Sequence, residues 1–188
     1  MLPLNLSPEV DPEIAIMDIE MVVLRALHIA LGVFWAGAAF FLTSFVLPTA
    51  RKSWPASAEW IRSLIGPRFQ RGIAIAAGLT VLAGLRMMWK LSGNFSAAWM
   101  TSANGMLLAI GGLCGIAAFV IGAVQLGPAA TRMIARLESA ERAGDSGERQ
   151  RQTEAAQADL AAFGGALRVA SALLGLTVLM MAIARYVR

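Results

Sequence analysis

Few residues of this chain are equipped for chemistry. The stretch LRALHIALGVFWAGAAFF, residues 24–41, carries Arg25 and, one helical turn later, His28, the sole histidine. A neutral imidazole is a common metal ligand and proton carrier, and it sits here in a run otherwise free of charge. A second group follows in AGLRMMWK, where Arg86 and Lys90 bracket Met87 and Met88. Thioethers and imidazole together are the soft and borderline donors that suit Cu(I). His28 with Met21, Met87 and Met88 is therefore the candidate copper set, and His28 with Arg86 and Lys90 a candidate basic pocket for a carboxylate or propionate. Haem is the competing cofactor, but one histidine excludes a bis-histidine haem within one chain; a methionine opposite, or a histidine from each of two protomers, would be required. Cys114 is alone, which rules out an intrachain disulfide or a cysteine cluster and fits a small apolar filler. No catalytic set is assigned.

The elements that must position these residues are set by the solvent. With 57% hydrophobic and 15% charged residues and a mean hydropathy of +0.64, the chain departs from soluble composition, about 45–50% apolar and 25% charged. It is a bilayer sequence. A spanning helix needs about 20 predominantly apolar residues, and four stretches qualify, near 22–47, 72–91, 106–126 and 163–186. Only helices or closed barrels satisfy their backbone groups in lipid, so the expected fold is an all-α integral membrane protein, one four-helix transmembrane bundle. The acidic segment 1–21 precedes it and holds Glu9, Asp11, Glu13, Asp18 and Glu20 without a base or a signal-peptide core. Met17 opens MDIEMVVLRALH, an adequate start for a membrane protein, so residues 1–16 are expected to be a dispensable or misassigned extension.

Lysine and arginine in short loops set orientation. Arg51, Lys52, Arg62, Arg68 and Arg71 crowd the first loop, Arg132, Arg136, Arg142, Arg149 and Arg151 the third, and the second loop has none. Loops one and three are thus expected in the cytoplasm and both termini outside. Membrane topology accounts for the net charge of +4, and no nucleic-acid partner is implied. In the first loop, SAEWIRSLIG predicts a short interfacial helix with Trp60, Ile61, Leu64 and Ile65 towards lipid. In the third, helix formers on both sides of GDSG predict a charged cytoplasmic helical hairpin over 130–160.

Packing within a bilayer relies on small residues. Gly111, Gly115, Ala118 and Gly122 form a stripe in the third span, Gly164, Ser171 and Gly175 lie in the fourth, and Ala74 and Gly78 in the second. Unwrapped at 100° per residue, the first span puts Asp18, Met21, Arg25, His28, Gly32, Trp35 and Ala39 in one sector, and Leu27, Leu31, Phe34, Phe41 and Phe45 opposite. The first sector should face the bundle, with Arg25 reaching the interface or pairing with Asp18 or Glu20. In the second span Arg71, Ile75, Leu79, Leu82, Arg86 and Lys90 share a face, which predicts a lipid-facing stripe with snorkelling basic ends; turning Arg86 towards His28 would instead build the basic pocket.

The first-span motif, a histidine followed by small residues, a tryptophan and a glycine, resembles the first helix of bacterial copper resistance protein D-like membrane proteins. Relatives of that group include membrane-type protoporphyrinogen oxidase and the membrane domain attached to some urate oxidases. AGLRMMW at the end of the second span and MMAIARYV at the end of the fourth extend the likeness. The resemblance implies a bacterial inner-membrane protein handling copper, or a haem-linked activity that uses a first-helix histidine and a lysine, for which His28 and Lys90 are the matching positions. The residues leave three classes open: a copper or haem-ligand binder, a non-enzymatic scaffold subunit in a homo-oligomer or larger membrane complex, and a haem-synthesis oxidase-like enzyme.

Overall fold

The computed structural model describes residues 12–187, with side chains from Ile19 onward. The expectations for Met17, Asp18 and the acids before them lie outside those side chains. Helix α1 (Pro12–Phe41) passes through a π turn (Leu42–Val46) into α2 (Leu47–Lys52); α3 (Ala58–Leu64) leads to α4 (Pro67–Leu91) and α5 (Ala97–Met100) to α6 (Ala103–Ile121). A second π turn (Gly122–Leu126) joins α6 to α7 (Gly127–Arg142), and α8 (Ser146–Ala184) closes the chain. Among the described residues four continuous helical rods are long and apolar enough to cross a bilayer: Ile19–Lys52, Pro67–Leu91, Ala103–Arg142 and Ser146–Ala184. The protein is an all-α, four-span membrane bundle. Antiparallel α1 packs chiefly on α4, and α6 on α8, so the bundle is two hairpins joined along a looser seam. Its two ends are called here the histidine end, where α4 finishes, and the basic end, where α7 and the start of α8 project.

Two prolines decide how the spans leave the membrane. Pro48 and Pro128 lack the N–H that a helix needs, and their rings would strike the carbonyl four residues back. Both follow a π turn, in which the Leu47 N–H donates to Leu42 O and the Gly127 N–H to Gly122 O, five residues back. Each wider turn holds one extra residue, and that shifts the buried face. The seam Gly111, Gly115, Ala118 continues as Ala130, Met133, Leu137 and Ala140. A regular helix would have continued it through Arg132, Arg136 and Ser139. In the first span Trp35, Ala39, Leu42 and Val46 continue likewise to Ala50 rather than Thr49.

Opposite that seam, α8 repeats Ala156, Leu160, Phe163, Leu167, Ala170 and Leu174 at alternating spacings of four and three, the coiled-coil pattern. Its 39 residues make a rod of about 58 Å at 1.5 Å per residue, longer than a bilayer is thick, so its first turns form the predicted hairpin with α7. Asp145 caps α8 by accepting the Glu148 N–H at 2.9 Å. The hairpin is clasped by Asp159, whose side chain is only 10% exposed and takes Arg132 Nε at 3.1 Å and Arg136 Nε at 2.6 Å.

A four-residue step on α6 meets a three-residue step on α8, bringing Gly111 under Met180 and Gly115 under Thr177, which also donates to Gly111 O at 3.0 Å. Spans two and four both contain GLTVL, at Gly78 and Gly175, and the threonine is used alike: the Thr80 methyl lies over Gly32 as the Thr177 methyl lies over Gly115. The hairpins are joined by Ser171, which is 2.7 Å from the Thr43 hydroxyl and donates to Ala39 O at 3.3 Å. Gly164 sits beneath the Arg51 guanidinium, which donates to Ala161 O at 3.2 Å. At the histidine end the chain reverses through Gly93, Asn94 and Phe95, all at φ near +60°, held by the Phe95 N–H donating to Ser92 Oγ at 2.7 Å.

One expectation for the first loop is corrected. Trp60 and Leu64 of α3 are exposed, but Ile61 and Ile65 are fully buried, because α3 lies against α7 and turns one side of its apolar surface into the hairpin. Arg62 on the same helix pairs with Glu141 of α7 at 2.8 Å, which raises the guanidinium pKa above its usual value. Asp159→Asn removes the charge that holds two arginines together. It should cost roughly 1–3 kcal/mol, less than a fully buried pair because the arginines are half-exposed. Hydrogen exchange should then rise over 127–160 and stay unchanged in α4.

Candidate functional site

His28 lies in the contact between α1 and α4. Its Nδ1 is 2.8 Å from the carbonyl oxygen of Thr80, and since a carbonyl only accepts, Nδ1 carries the proton. In the neutral ring Nε2 then keeps a free lone pair, the arrangement by which a second partner usually orients a metal-binding histidine. Nε2 has no hydrogen-bond partner among the described residues. Room for the ring comes from Gly84, where a Cβ would stand 2.8 Å from His28 Cε1 and 3.1 Å from Nδ1. The Thr80 carbonyl has a second lone pair for the imidazole beside its helical bond, and the Thr80 hydroxyl is turned back to donate to Ala76 O at 2.7 Å. His28, Thr80 and Gly84 thus form one unit: an imidazole seated in a notch of the facing helix.

Towards the histidine end, Glu20 of α1 meets Arg86 and Lys90 of α4. Arg86 Nε donates to Glu20 Oε1 at 2.9 Å and the Lys90 ammonium to Oε2, while the guanidinium also lies 4.6 Å from the centre of the Trp89 ring, a cation–π contact. The Lys90 side chain is only 17% exposed. This corrects the expected lipid-facing stripe. Ile75, Leu79 and Leu82 are exposed as predicted and so is Arg71, but Arg86 and Lys90 turn to Glu20, because a carboxylate at the same height gives them a better partner than a long reach to water. It also alters the basic pocket, since Arg86 and Lys90 already hold an internal anion. One carboxylate against two bases leaves the group with a formal excess of one positive charge.

The remaining predicted site residues fall nearby. Met87 and Met88 follow Gly84 by three and four residues, which puts them one turn along the His28 side of α4, and Met21 precedes His28 by seven residues; all three are half-buried. Among the described residues no group of three or more histidine, cysteine or acidic side chains is poised for a metal ion, so any metal held here would draw on His28 Nε2 and thioethers. Glu20 lies eight residues from His28, about 12 Å along the helix axis. Arg25 is exposed rather than inward, as an interfacial anchor should be, and Glu20, one of its expected partners, is engaged by α4. Cys114 is a free, half-buried thiol on α6.

The sequence reading missed Thr80, Gly84 and the role of Glu20. The signal was present, since a threonine and a glycine four apart in span two make a notch with an accessible carbonyl, and Glu20 stands one turn before the apolar run. No family model matches this chain, and no curated protein and no solved structure does so either.

Gly84→Ala should push the imidazole out of its notch and cost about 1–3 kcal/mol, as overpacking does. Gly112→Ala, whose Cβ would meet nothing within 4 Å, should be neutral or stabilising in the same detergent unfolding titration. Glu20→Gln should lower the unfolding midpoint by leaving Arg86 and Lys90 uncompensated, and adding Lys90→Met should recover part of the loss.

Proposed function

We propose that this chain is a bacterial inner-membrane protein, with both termini in the periplasm, that binds copper or a haem-related ligand through His28. The carrying observation is the Nδ1–H of His28 held by the Thr80 carbonyl, which leaves Nε2 as an oriented donor on a half-buried ring. An ionisable residue kept at membrane depth is a functional candidate in itself. For copper, the thioethers of Met87, Met88 and Met21 would complete a soft donor set; copper bound there would be protected from water and held for transfer. For haem, His28 would ligate the iron, and Arg86 and Lys90, shared with Glu20, would be the cations for its carboxylates. The periplasmic assignment of this end rests on the ten bases in loops one and three against none in loop two. The likeness of residues 24–41 to the copper resistance protein D-like first helix points the same way.

A scaffold role is the second reading, and the clasped hairpin of α7 and α8 favours it, since a rigid charged rod beyond the membrane suits docking to a larger complex or a second copy. The oxidase-like reading would require Lys90 to act on a substrate, whereas its ammonium is held by Glu20.

Protein purified from cells grown with copper and a haem precursor should carry copper, or show a Soret band, in the wild type. His28→Ala should lose most of that content while keeping its helical circular dichroism, and Met88→Leu should weaken copper retention alone. Equal metal and haem content in wild type and His28→Ala would remove the ligand reading and leave the scaffold.

A further inference from the structure

The seam between the two hairpins contains a cavity of about 440 Å³, which begins at Trp35, about two turns beyond His28 on α1, and runs towards the basic end. Small-molecule sites run from about 300 to 1,000 Å³. Its walls come from all four spans and are almost wholly apolar, with Trp35, Phe69, Ala77, Phe119, Leu167 and Leu174 among them. Both π turns border it, through Leu42 and through Gly122, Ala123 and Leu126, and such turns often mark functional positions. The space exists because each span contributes alanine or glycine at this height: Ala39, Ala77, Ala118 and Ala170 are all lining residues. Its polar groups lie at one end, Gln70 and Arg71 in the first turns of α4. Gln70 is anchored by donating to Ile65 O at 3.0 Å, and Arg71 is exposed with no ion-pair partner among the described residues.

From Arg71 to Ala77 the cavity follows α4 for six residues, about 9 Å. It therefore offers a slot at hydrocarbon depth with one cation at its mouth, on the side where Arg51, Lys52, Arg62 and Arg68 also gather. We infer that this slot holds one acyl chain of an anionic phospholipid whose phosphate is met by Arg71. A neutral apolar occupant would leave the guanidinium unused, and a single base at the mouth favours an anionic headgroup by about 1 kcal/mol. The bound chain fills the looser seam and ties the α1–α4 hairpin to the α6–α8 hairpin.

Trp35, 8% exposed and lining the slot, reports occupancy. The full chain is reconstituted in phosphatidylcholine vesicles doped with a small fraction of lipid brominated on the acyl chains, and the Trp35 signal is taken as the wild type minus Trp35→Phe. Brominated phosphatidylglycerol should quench Trp35 about fivefold more effectively than brominated phosphatidylcholine, the effect of about 1 kcal/mol. Arg71→Gln should abolish that preference, and Ala77→Leu, which fills the slot, should abolish the quenching itself. Since Ala77→Leu could perturb folding, Arg71→Gln, a change at an exposed site, carries the decision. Equal quenching by the two lipids, no quenching by either, or a preference that survives Arg71→Gln would overturn the inference; so would quenching by brominated free fatty acid but not by the phospholipid.

Discussion

A half-buried imidazole at membrane depth needs a partner and a space, and here one turn of the facing helix supplies both. The Thr80 carbonyl takes the Nδ1 proton of His28, and the missing side chain of Gly84 makes room for the ring. In lipid no water stands by to replace a lost partner, so the contact fixes the height of α1 against α4. Once His28 is level with residues 80–84, Glu20 comes level with Arg86 and Lys90, and three charges that would each be costly alone are neutralised down to one. The polar content of the histidine end is thus a consequence of one helix register. Thr80 contributes on two sides, its carbonyl to His28 and its methyl to Gly32, which sets how closely the helices approach.

The second hairpin uses the same grammar without the chemistry. Thr177 lies over Gly115 and bonds Gly111 O, as Thr80 lies over Gly32, and both begin from GLTVL. Each odd-numbered span exits the membrane through a π turn followed by a proline. Among the described residues no histidine and no inward acid accompany the Thr177 contact. The packing scheme alone therefore does not call for His28, and the imidazole is an addition made in one hairpin only.

Much of this was legible in the residues. Apolar length and composition identify four spans, GDSG marks the hairpin break, and the small-residue stripe of span three faces α8 as its spacing indicates. Leu27, Phe34, Phe41 and Phe45 are exposed where the helical wheel places them. The direction of Arg86 and Lys90 was not legible, because a helix wheel treats one helix at a time, while a long basic side chain follows the nearest carboxylate on its neighbour. Ile61 and Ile65 were misassigned for a similar reason: an amphipathic segment beside a membrane looks the same whether its apolar side meets lipid or another helix. The π turns escaped because one extra residue leaves no compositional trace. Its sign is that the arginines 132 and 136 would otherwise enter the core, a conflict visible only when the seam is carried through Pro128.

The single histidine makes the central claim directly measurable. Protein labelled with ¹⁵N-histidine contains one imidazole, so its two nitrogen resonances in a magnetic resonance spectrum belong to His28 alone. A pinned Nδ1–H ring should show one protonated and one bare nitrogen without exchange between them, with the Nε2 resonance shifting most when Cu(I) or haem is added and Nδ1 keeping its proton. Rapid exchange of the two tautomers, a proton on Nε2, or an Nε2 resonance unmoved by either ligand would contradict the account.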